Sequence, residues 1–257
     1  MIRGYEMDKY MFEVVQFLAE SGVESSMKDV IHEIMILGRR EVSPEQAKVA
    51  LRYLNTLAEK NDHEALLSLG ALHYTGFSNI IPQDYAKALN YYERAAESSE
   101  LKDAWALNNL GYCYFYGRDG EVNYKKAYSC FAHSAMCGNA NAMYKLGDMY
   151  YYGNYVSKDF DASFYWYTLA KSQKIDADTD YQGFLIASIA MRLGRAFLNG
   201  EGTQVDLIAA LFELRTAEAL FYKQVLIGDD NSKGQLPKTQ ELIALATSAL
   251  DEEIKLR

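Results

Sequence analysis

A short pattern of residues occurs four times along this chain, at intervals of about 40 residues. Each occurrence opens with Leu-Gly, continues with an aromatic residue three or four positions after the Gly, and closes with a second Gly. The opening pairs are Leu69-Gly70, Leu110-Gly111, Leu146-Gly147 and Leu193-Gly194, and the closing glycines are Gly76, Gly117, Gly153 and Gly200. Repetition at this period is typical of repeat proteins, in which each unit buries its apolar face only by stacking on its neighbours.

Each opening is followed by a second segment in which small and aromatic residues lie three and four positions apart, on one face of a helix. These segments are Ala88 to Ala96, Ala127 to Ala135, Ala162 to Ala170 and, as a weaker match, Ala209 to Ala217. A Gly within the first helix lets the second helix approach closely because Gly has no Cβ. The closing Gly ends the first helix because Gly enters the left-handed region at little cost. The sequence therefore predicts four helix hairpins and no strands.

These motifs resemble the Sel1-like repeat, a relative of the tetratricopeptide repeat, over residues 62–222. The resemblance includes the loop before the second helix, which carries Ile or Val at Ile81, Val122 and Val156. It implies an all-α fold, namely a right-handed α-solenoid of stacked helix hairpins. The second and third opening glycines are 36 residues apart, near the family's regular length, so the longer spacings on either side predict insertions in loops.

The segment before the repeats is predicted to cap the amino-terminal end of the stack. Residues 1–61 contain an amphipathic helix over residues 7–20, which Gly22 ends, and then a degenerate helix hairpin. The second helix of that hairpin begins after Ser43, a preferred N-cap residue, with Pro44 at its first position. An end repeat must cover apolar surface with a polar outer face, which is the role we assign to this region.

Two polar segments are predicted to be loops. The first, residues 171–183, separates the third repeat from the fourth. The second, residues 228–234, contains two glycines and is the strongest predicted helix breaker in the chain. An amphipathic helix within residues 235–257 is predicted to cap the carboxyl-terminal end. The whole chain, residues 1–257, is thus interpreted as a single α-solenoid domain.

Composition and charge narrow the range of partners. The 257 residues carry a formal net charge of −9, and an acidic chain binds nucleic-acid phosphates and anionic membranes poorly. No stretch approaches the roughly 20 apolar residues of a membrane span, and acidic residues stand where a signal peptide needs an apolar run. Cys113, Cys130 and Cys137 are odd in number and lack a metal-binding spacing, so we expect thiols. We therefore expect a cytoplasmic protein with no nucleic-acid or membrane partner.

The sequence contains no complete catalytic or metal-binding motif. Residues 176–187 begin with alternating aspartates as a calcium loop does, but Tyr181 and Ala187 occupy the positions that need Gly and Glu. His32-Glu33 begins like a zinc-protease helix, but Ile36 stands where the second His is required. Neither a nucleophile elbow nor a phosphate-binding loop is present. We therefore predict no catalytic residue, no cofactor and no metal site.

The first helices of the repeats are the predicted binding surface, because in tetratricopeptide-type stacks they line the concave face. The residues predicted to face this groove are Trp105, Asn108, Asn109, Tyr112, Phe115, Tyr144, Lys145, Tyr151, Arg192 and Arg195. Aromatic and Arg side chains are frequent anchors of binding surfaces. In the alternative interpretation, the tyrosines pack between repeats as core.

Some tetratricopeptide-type relatives hold the terminal carboxylate of a peptide in a clamp of polar and basic side chains. The residues that resemble this clamp are Asn109, Lys145, Arg192 and Arg195, with Asn141 in place of an expected lysine. We therefore predict a non-enzymatic scaffold or adaptor that binds a protein or peptide on its concave face. Two alternatives stay open: a hydrolase or binding protein for β-lactam-like or cell-wall compounds, as proposed for some relatives, and a structural protein that self-associates. No oligomeric state is predicted.

Overall fold

The computed structural model describes residues 9–37, 43–77, 80–99, 103–118, 120–174 and 180–256. Regular structure within these ranges is α-helical, and β-type pairing there is limited to an isolated antiparallel bridge between Phe77 and Ile81. The helices are α1 (Lys9–Glu20), α2 (Glu24–Leu37), α3 (Pro44–Glu59), α4 (His63–Thr75), α5 (Tyr85–Ser98), α6 (Ala104–Tyr116), α7 (Tyr124–Met136), α8 (Ala140–Tyr152), α9 (Phe160–Ser172), α10 (Asp180–Asn199), α11 (Leu207–Leu226) and α12 (Asp230–Leu256). The predicted all-α class, built from consecutive helix hairpins, is confirmed.

The chain divides into two compact units, Met1–Val122 and Asn123–Arg257. In the first unit, helices α1 to α6 pack against one another in chain order. In the second unit, helices α7 to α12 do the same, and α10 also contacts α12. The boundary between the units falls in the loop before α7, so it lies inside the second repeat.

Asp or Asn residues start most of the repeat helices. Each is an N-cap whose side-chain oxygen accepts a hydrogen bond from a backbone N–H of the first turn, which has no acceptor within the helix. These caps are Asp62 (α4), Asp84 (α5), Asp103 (α6), Asn123 (α7), Asn139 (α8), Asp159 (α9) and Asp206 (α11). Helix α3 starts after the predicted Ser43, which forms a capping box with Gln46. The local sequence thus sets where these helices begin.

The first-helix glycines make room for a large side chain of the second helix. If a Cβ were added to the Gly, it would lie 2.5, 2.5 and 2.6 Å from that side chain in the pairs Gly70 and Tyr92, Gly147 and Tyr167, and Gly194 and Leu214. Carbon atoms in contact prefer about 3.5–4.0 Å, so no side chain fits at these positions without displacement. The close approach that the Leu-Gly motif predicts is confirmed in these three hairpins.

Closing glycines end the first helices as predicted. Gly117 and Gly153 have φ values of 61° and 74°, in the left-handed region. Their N–H groups donate to the carbonyl oxygens of Cys113 and Met149, four residues earlier. This geometry satisfies a carbonyl that the helix itself leaves open and turns the chain toward the second helix.

In the third and fourth repeats, the second helix is rotated by one residue from the predicted alignment. The predicted second segment of the fourth repeat starts at Ala209, but Ala210 is the buried alanine, and Phe212 of the same segment is 67% exposed. The third repeat is shifted in the same direction and buries Ser163. The reason is that the side chain packed on the first-helix glycine sets the rotation of the helix, and in the fourth repeat this side chain is Leu214.

The predicted breaker over residues 228–234 is wrong in its second half. Helix α12 starts at Asp230 and continues through Pro237 without interruption. Ser232 is fully buried, and Leu236 packs against the core that α10, α11 and α12 share. Burial of Leu236 outweighs the low helix propensity of Gly and Pro, because tertiary packing commonly overrides propensity.

The predicted loop over residues 171–183 is also shorter than expected. Helix α9 includes residues up to Ser172, and α10 starts at Asp180. Asp176 and Asp178, from the incomplete calcium pattern, lie outside the described residues. The longer α10 extends the first helix of the fourth repeat by more than a turn beyond its counterpart α8.

A substitution at Gly202 measures how tightly the third and fourth repeats pack. Gly202 has a φ of 72°, and a Cβ there would overlap the carbonyl oxygen of Phe160 at the start of α9. Gly228 has a similar left-handed φ of 93° but no atom near the position of a Cβ. We expect Gly202→Ala to lower the free energy of unfolding by about 2 kcal/mol more than Gly228→Ala, as measured by urea denaturation. Equal losses would show that this loop moves away without cost.

Candidate functional site

In the first unit, the predicted site residues lie on α6, the first helix of the second repeat. Trp105 is 49% exposed, but Asn108 is only 1% exposed and is therefore buried, contrary to the prediction that it faces an open groove. The side chain of Asn108 donates a hydrogen bond to Asn109 (3.4 Å). Tyr112 and Phe115 are half-buried. Of the predicted site residues on this helix, Trp105 is thus the exposed aromatic side chain, and the rings of Tyr112 and Phe115 are partly covered.

In the second unit, Asp148 on α8 contacts side chains from three helices. Tyr167 of α9 donates a hydrogen bond to Asp148 Oδ1 (2.8 Å), and Arg192 of α10 donates to the same oxygen from Nε (3.1 Å). Lys145, one turn earlier on α8, has its Nζ 3.6 Å from Asp148 Oδ2. Asp148 and Lys145 are 5% and 4% exposed. A buried ionic network therefore joins the third repeat to the fourth, and we call these four residues the Asp148 network.

Burial and mutual attraction set the pKa values of the Asp148 network. Burial alone would raise the pKa of Asp148, but the charges of Arg192 and Lys145, together with the hydrogen bonds from Tyr167 and Arg192, outweigh it, so that pKa lies below its usual range. Burial lowers the pKa of Lys145, and Asp148 offsets only part of that effect. Burial alone would lower the pKa of Arg192, but the attraction of Asp148 together with the nearby tyrosine hydroxyls outweighs it, so that pKa is raised. Asp148 and Arg192 thus form a charged pair at neutral pH.

A second arrangement of the same kind involves Arg195 and Glu201. The guanidinium carbon of Arg195 lies 3.6 Å from the ring centroid of Tyr151, and its Nε is 3.3 Å from Glu201 Oε2. The Tyr151 hydroxyl donates to the other oxygen of Glu201 (3.1 Å). In the Asp148 network, the guanidinium carbon of Arg192 lies 5.5 Å from the ring centroid of Tyr144. Each tyrosine is therefore in cation–π contact with an arginine that forms an ion pair with an acidic side chain.

The structure brings half of the predicted site residues together in the second unit, namely Tyr144, Lys145, Tyr151, Arg192 and Arg195. The prediction of an open position is wrong for Lys145, which is buried. Arg192 and Arg195 are paired with acids, so they are not the unpaired cations of the predicted clamp. Tyr144 and Tyr151 are half-buried. They are therefore neither fully open to a groove nor fully buried as core between repeats.

The predicted set of site residues left out the acids that organise this surface. Asp148 lies three residues after Lys145, a spacing that places two side chains side by side on a helix, and this signal was available. Glu201 lies in the loop after α10, and no local pattern links it to Tyr151, which is 50 residues earlier. Tyr167 lies in the predicted second-helix segment Ala162 to Ala170, and its hydroxyl adds a polar contact that helix packing alone does not predict.

In the described part of the chain, no group of three or more His, Cys, Asp or Glu side chains is arranged to hold a metal ion. None of the described helices is long and apolar enough to cross a membrane. Cys113 is a buried thiol, Cys130 is half-buried and Cys137 is exposed. The arrangements that stand out are therefore the two Tyr–Arg–acid clusters.

Two curated proteins illustrate the relationships of the sequence. The chain is 30% identical over 160 residues to the ERAD-associated E3 ubiquitin-protein ligase component HRD3B of Arabidopsis thaliana, covering 57% of this chain and 24% of that protein. It is 26% identical over 188 residues to the ERAD-associated E3 ubiquitin-protein ligase component HRD3 of Candida glabrata, covering 68% of this chain and 21% of that protein. The chain thus spans less than a quarter of the length of these relatives.

Solved structures with the same architecture also match. One is c5321, a protective antigen of uropathogenic Escherichia coli strains with an SLR fold, with a TM-score of 0.65 and 21% identity, covering 96% of this chain and 51% of that chain. Another is a Sel1 repeat protein from Oxalobacter formigenes, with a TM-score of 0.62 and 20% identity, covering 87% of this chain and 85% of that chain. At these identities the similarity shows the fold alone.

The family profile described as Sel1 repeat matches four segments of the sequence. The matched segments are residues 63–99, 106–139, 140–174 and 189–212. Each contains one of the four Leu-Gly openings, and together they cover half of the chain. The chain therefore belongs to the Sel1 repeat family.

Proposed function

We propose that this chain is a non-catalytic scaffold that binds a protein or peptide partner through the first helices of its repeats. The relatives from Arabidopsis thaliana and Candida glabrata are named as components of ubiquitin-ligase assemblies. That supports a role within a protein assembly and carries no ligase activity over to this chain. We also propose a cytoplasmic location, because three cysteines without paired spacing are typical of a chain in a reducing compartment.

The observation that carries this proposal is the pair of Tyr–Arg–acid clusters on α8 and α10. Tyr and Arg are the residue types that most often dominate binding energy in protein interfaces. Tyr144 and Tyr151 are each held against an arginine, and Asp148 and Glu201 hold those arginines in turn. Side chains that are already ordered lose little conformational freedom when a partner binds, so more of the contact energy contributes to affinity.

Site-specific photocrosslinking tests the proposed surface. A benzophenone amino acid replaces Tyr152, which is 56% exposed and has its ring centroid 4.8 Å from that of Tyr151. The matched control carries the same probe at Tyr165, which is 60% exposed on the second helix α9. We expect the probe at position 152 to capture a defined partner from lysate of the source cells, and the probe at position 165 to capture none, with mass spectrometry identifying the adducts.

Other outcomes of this experiment decide against the proposal. Capture through position 165 and not through position 152 would place the binding surface on the second helices. Adducts between two copies of this chain, increasing with concentration, would favour the self-associating alternative. Turnover of a β-lactam-like or cell-wall compound by the purified chain would favour the enzymatic alternative.

A further inference from the structure

The outward face of α11 carries exposed residues spaced alternately four and three positions apart, and we call these six residues the α11 stripe. They are Ile208 (65% exposed), Phe212 (67%), Arg215, Ala219, Tyr222 (49%) and Leu226 (86%). Two polar neighbours touch the stripe at its edges. The Nζ of Lys171 lies 5.9 Å from the ring centroid of Phe212, and Gln240 donates a hydrogen bond to the Tyr222 hydroxyl (3.1 Å). About half or more of each large apolar side chain stays open.

The outward face of another second helix shows that the repeat fold does not need this apolar character. In α3, the exposed positions at the same alternating spacing are all polar, namely Glu45, Lys48, Arg52, Asn55 and Glu59. On α11, the fit of Leu214 on Gly194 sets a rotation that turns Ile208 and Phe212 outward. A contiguous apolar surface that the fold itself does not require marks an interaction site.

The spacing of the α11 stripe identifies what covers it. Residues alternately four and three apart repeat every 3.5 positions, the period that keeps a seam facing a second helix so that side chains of each pack between those of the other. Helix α11 has 20 residues and is about 30 Å long, so the stripe runs along most of its length. The surface therefore fits another helix laid along α11.

The α11 stripe is symmetric about position 217. Its members form three pairs at equal distances on either side of that position: Ile208 with Leu226, Phe212 with Tyr222, and Arg215 with Ala219. In two antiparallel α11 helices related by a two-fold axis at this position, each residue faces the other member of its pair on the second copy. Aliphatic side chains then meet aliphatic ones, rings meet rings, and the long arginine meets the small alanine.

The charges of α11 favour the same arrangement. Arg215, whose side chain is 61% exposed, donates to Glu218 Oε2 one turn later (2.8 Å). In an antiparallel pair each Arg215 also lies beside Glu218 of the second copy, whereas a parallel pair would bring the two arginines together. Helix α11 contains two acidic and two basic residues, although the whole chain carries a net charge of −9. Two copies of an acidic chain repel each other least at such a neutral surface.

We propose that a second copy of this chain binds along the α11 stripe, so that the two α11 helices pack antiparallel in a homodimer. This inference goes beyond the proposed function, because it places the second copy on a second helix and leaves the partner assigned to the first helices. Such a dimer presents two partner-binding surfaces in one assembly, which raises the apparent affinity for a partner that carries two binding segments.

Sedimentation equilibrium of the full chain, from micromolar to millimolar concentration, tests this dimer. We expect the mass to rise from 29.1 kDa toward twice that value. Arg215→Glu and Glu218→Arg are each expected to weaken dimerisation by about tenfold or more, because like charges then meet across the axis. A mixture of these two variants is expected to dimerise where each alone is monomeric, since one chain presents two acids and the other two bases.

A matched control and a crosslinking probe complete the experiment. Lys48→Glu, on the polar outward face of α3, makes the same charge change as Arg215→Glu and is expected to leave dimerisation unchanged. A benzophenone amino acid in place of Phe212 reports the orientation of the helices. We expect its adducts within residues 219–226 of the second copy, as mass spectrometry identifies them.

The proposal is overturned if the unmodified chain keeps a mass of 29.1 kDa up to millimolar concentration. Equal weakening by Lys48→Glu and Arg215→Glu, a mixture of the two variants that stays monomeric, or adducts around residue 212 of the second copy would overturn it as well. Circular dichroism verifies that the variants fold, and the mass of the unmodified chain decides if one does not.

The same measurements separate this proposal from the proposed function. A monomeric chain whose position 152 still captures a partner would leave the proposed function standing and remove the dimer. Adducts between two copies through position 152 would place the second copy on the first helices and overturn the assignment to α11.

Discussion

Asp148→Ala is expected to lower the free energy of unfolding by about 3–5 kcal/mol, the cost of breaking a buried ion pair from one side. The substitution removes the carboxylate that Arg192 and Lys145 both contact, and it leaves these cations largely buried. The Tyr167 hydroxyl also loses its acceptor. Urea denaturation followed by circular dichroism measures the loss.

A carboxylate on the exposed side of α12 provides the matched control. Glu241 is exposed, so Glu241→Ala is expected to change the free energy of unfolding by no more than about 0.5 kcal/mol. Similar losses for Glu241→Ala and Asp148→Ala would contradict the importance of the Asp148 network for the second unit.

The Asp148 network also predicts a pH dependence. The pKa of Asp148 is lower in the folded protein than the value of about 3.9 expected when unfolded. Asp148 therefore stabilises the fold above about pH 4, and this contribution is lost as the pH falls through the folded-state pKa. Thermal melts in acid should show a shallower decline for Asp148→Ala than for the parent, and parallel declines would contradict the assignment.

Gly147→Leu is expected to lower the free energy of unfolding by about 3 kcal/mol or more. A Cβ at this position would already lie 2.5 Å from the ring of Tyr167, and the remaining atoms of Leu would extend into the same space. Tyr167 is 1% exposed and its hydroxyl is hydrogen-bonded to Asp148, so its ring has little freedom to move aside. Urea denaturation measures the effect, and loss of soluble protein would be its extreme form.

Gly234→Ala is the control for this substitution. Gly234 lies inside α12, and no heavy atom lies within 4 Å of an added Cβ. Because Ala favours the helix over Gly, we expect stability to rise by about 0.5–1 kcal/mol. If Gly234→Ala lowered stability as much as Gly147→Leu, the loss at Gly147 could not be attributed to steric contact between the two helices of the hairpin.

Local sequence was sufficient to identify the elements of the repeats. The Leu-Gly openings predicted where helices pack closely, and Gly147 against Tyr167 has that geometry. Ser43 marked the start of α3 through its hydrogen-bonding capacity, which depends on residues a few positions away. Such features depend on backbone conformation and helical spacing, and both can be inferred from neighbouring residues.

The predictions from local sequence that were wrong share one physical cause. The sequence predicted a breaker across residues 228–234, but α12 continues through this segment because Leu236 packs against the core that α10, α11 and α12 share. The rotation of α11 was predicted from Ala209, but the fit of Leu214 on the fourth repeat's Gly sets it instead. In each case the energy of burial against another helix exceeds the local preference, and a local pattern does not contain that term.

The candidate surface also combines features that the sequence predicts with pairings that only the tertiary structure shows. The sequence by itself determined the family, the helix hairpins and the face on which Tyr144, Tyr151, Arg192 and Arg195 lie, because helical periodicity assigns side chains to faces. Only the tertiary structure decided that Asp148 pairs with Arg192, 44 residues later, and that Glu201 pairs with Arg195. The pairing of buried charges depends on which groups share a water-excluded space, and distance along the chain carries no information about that.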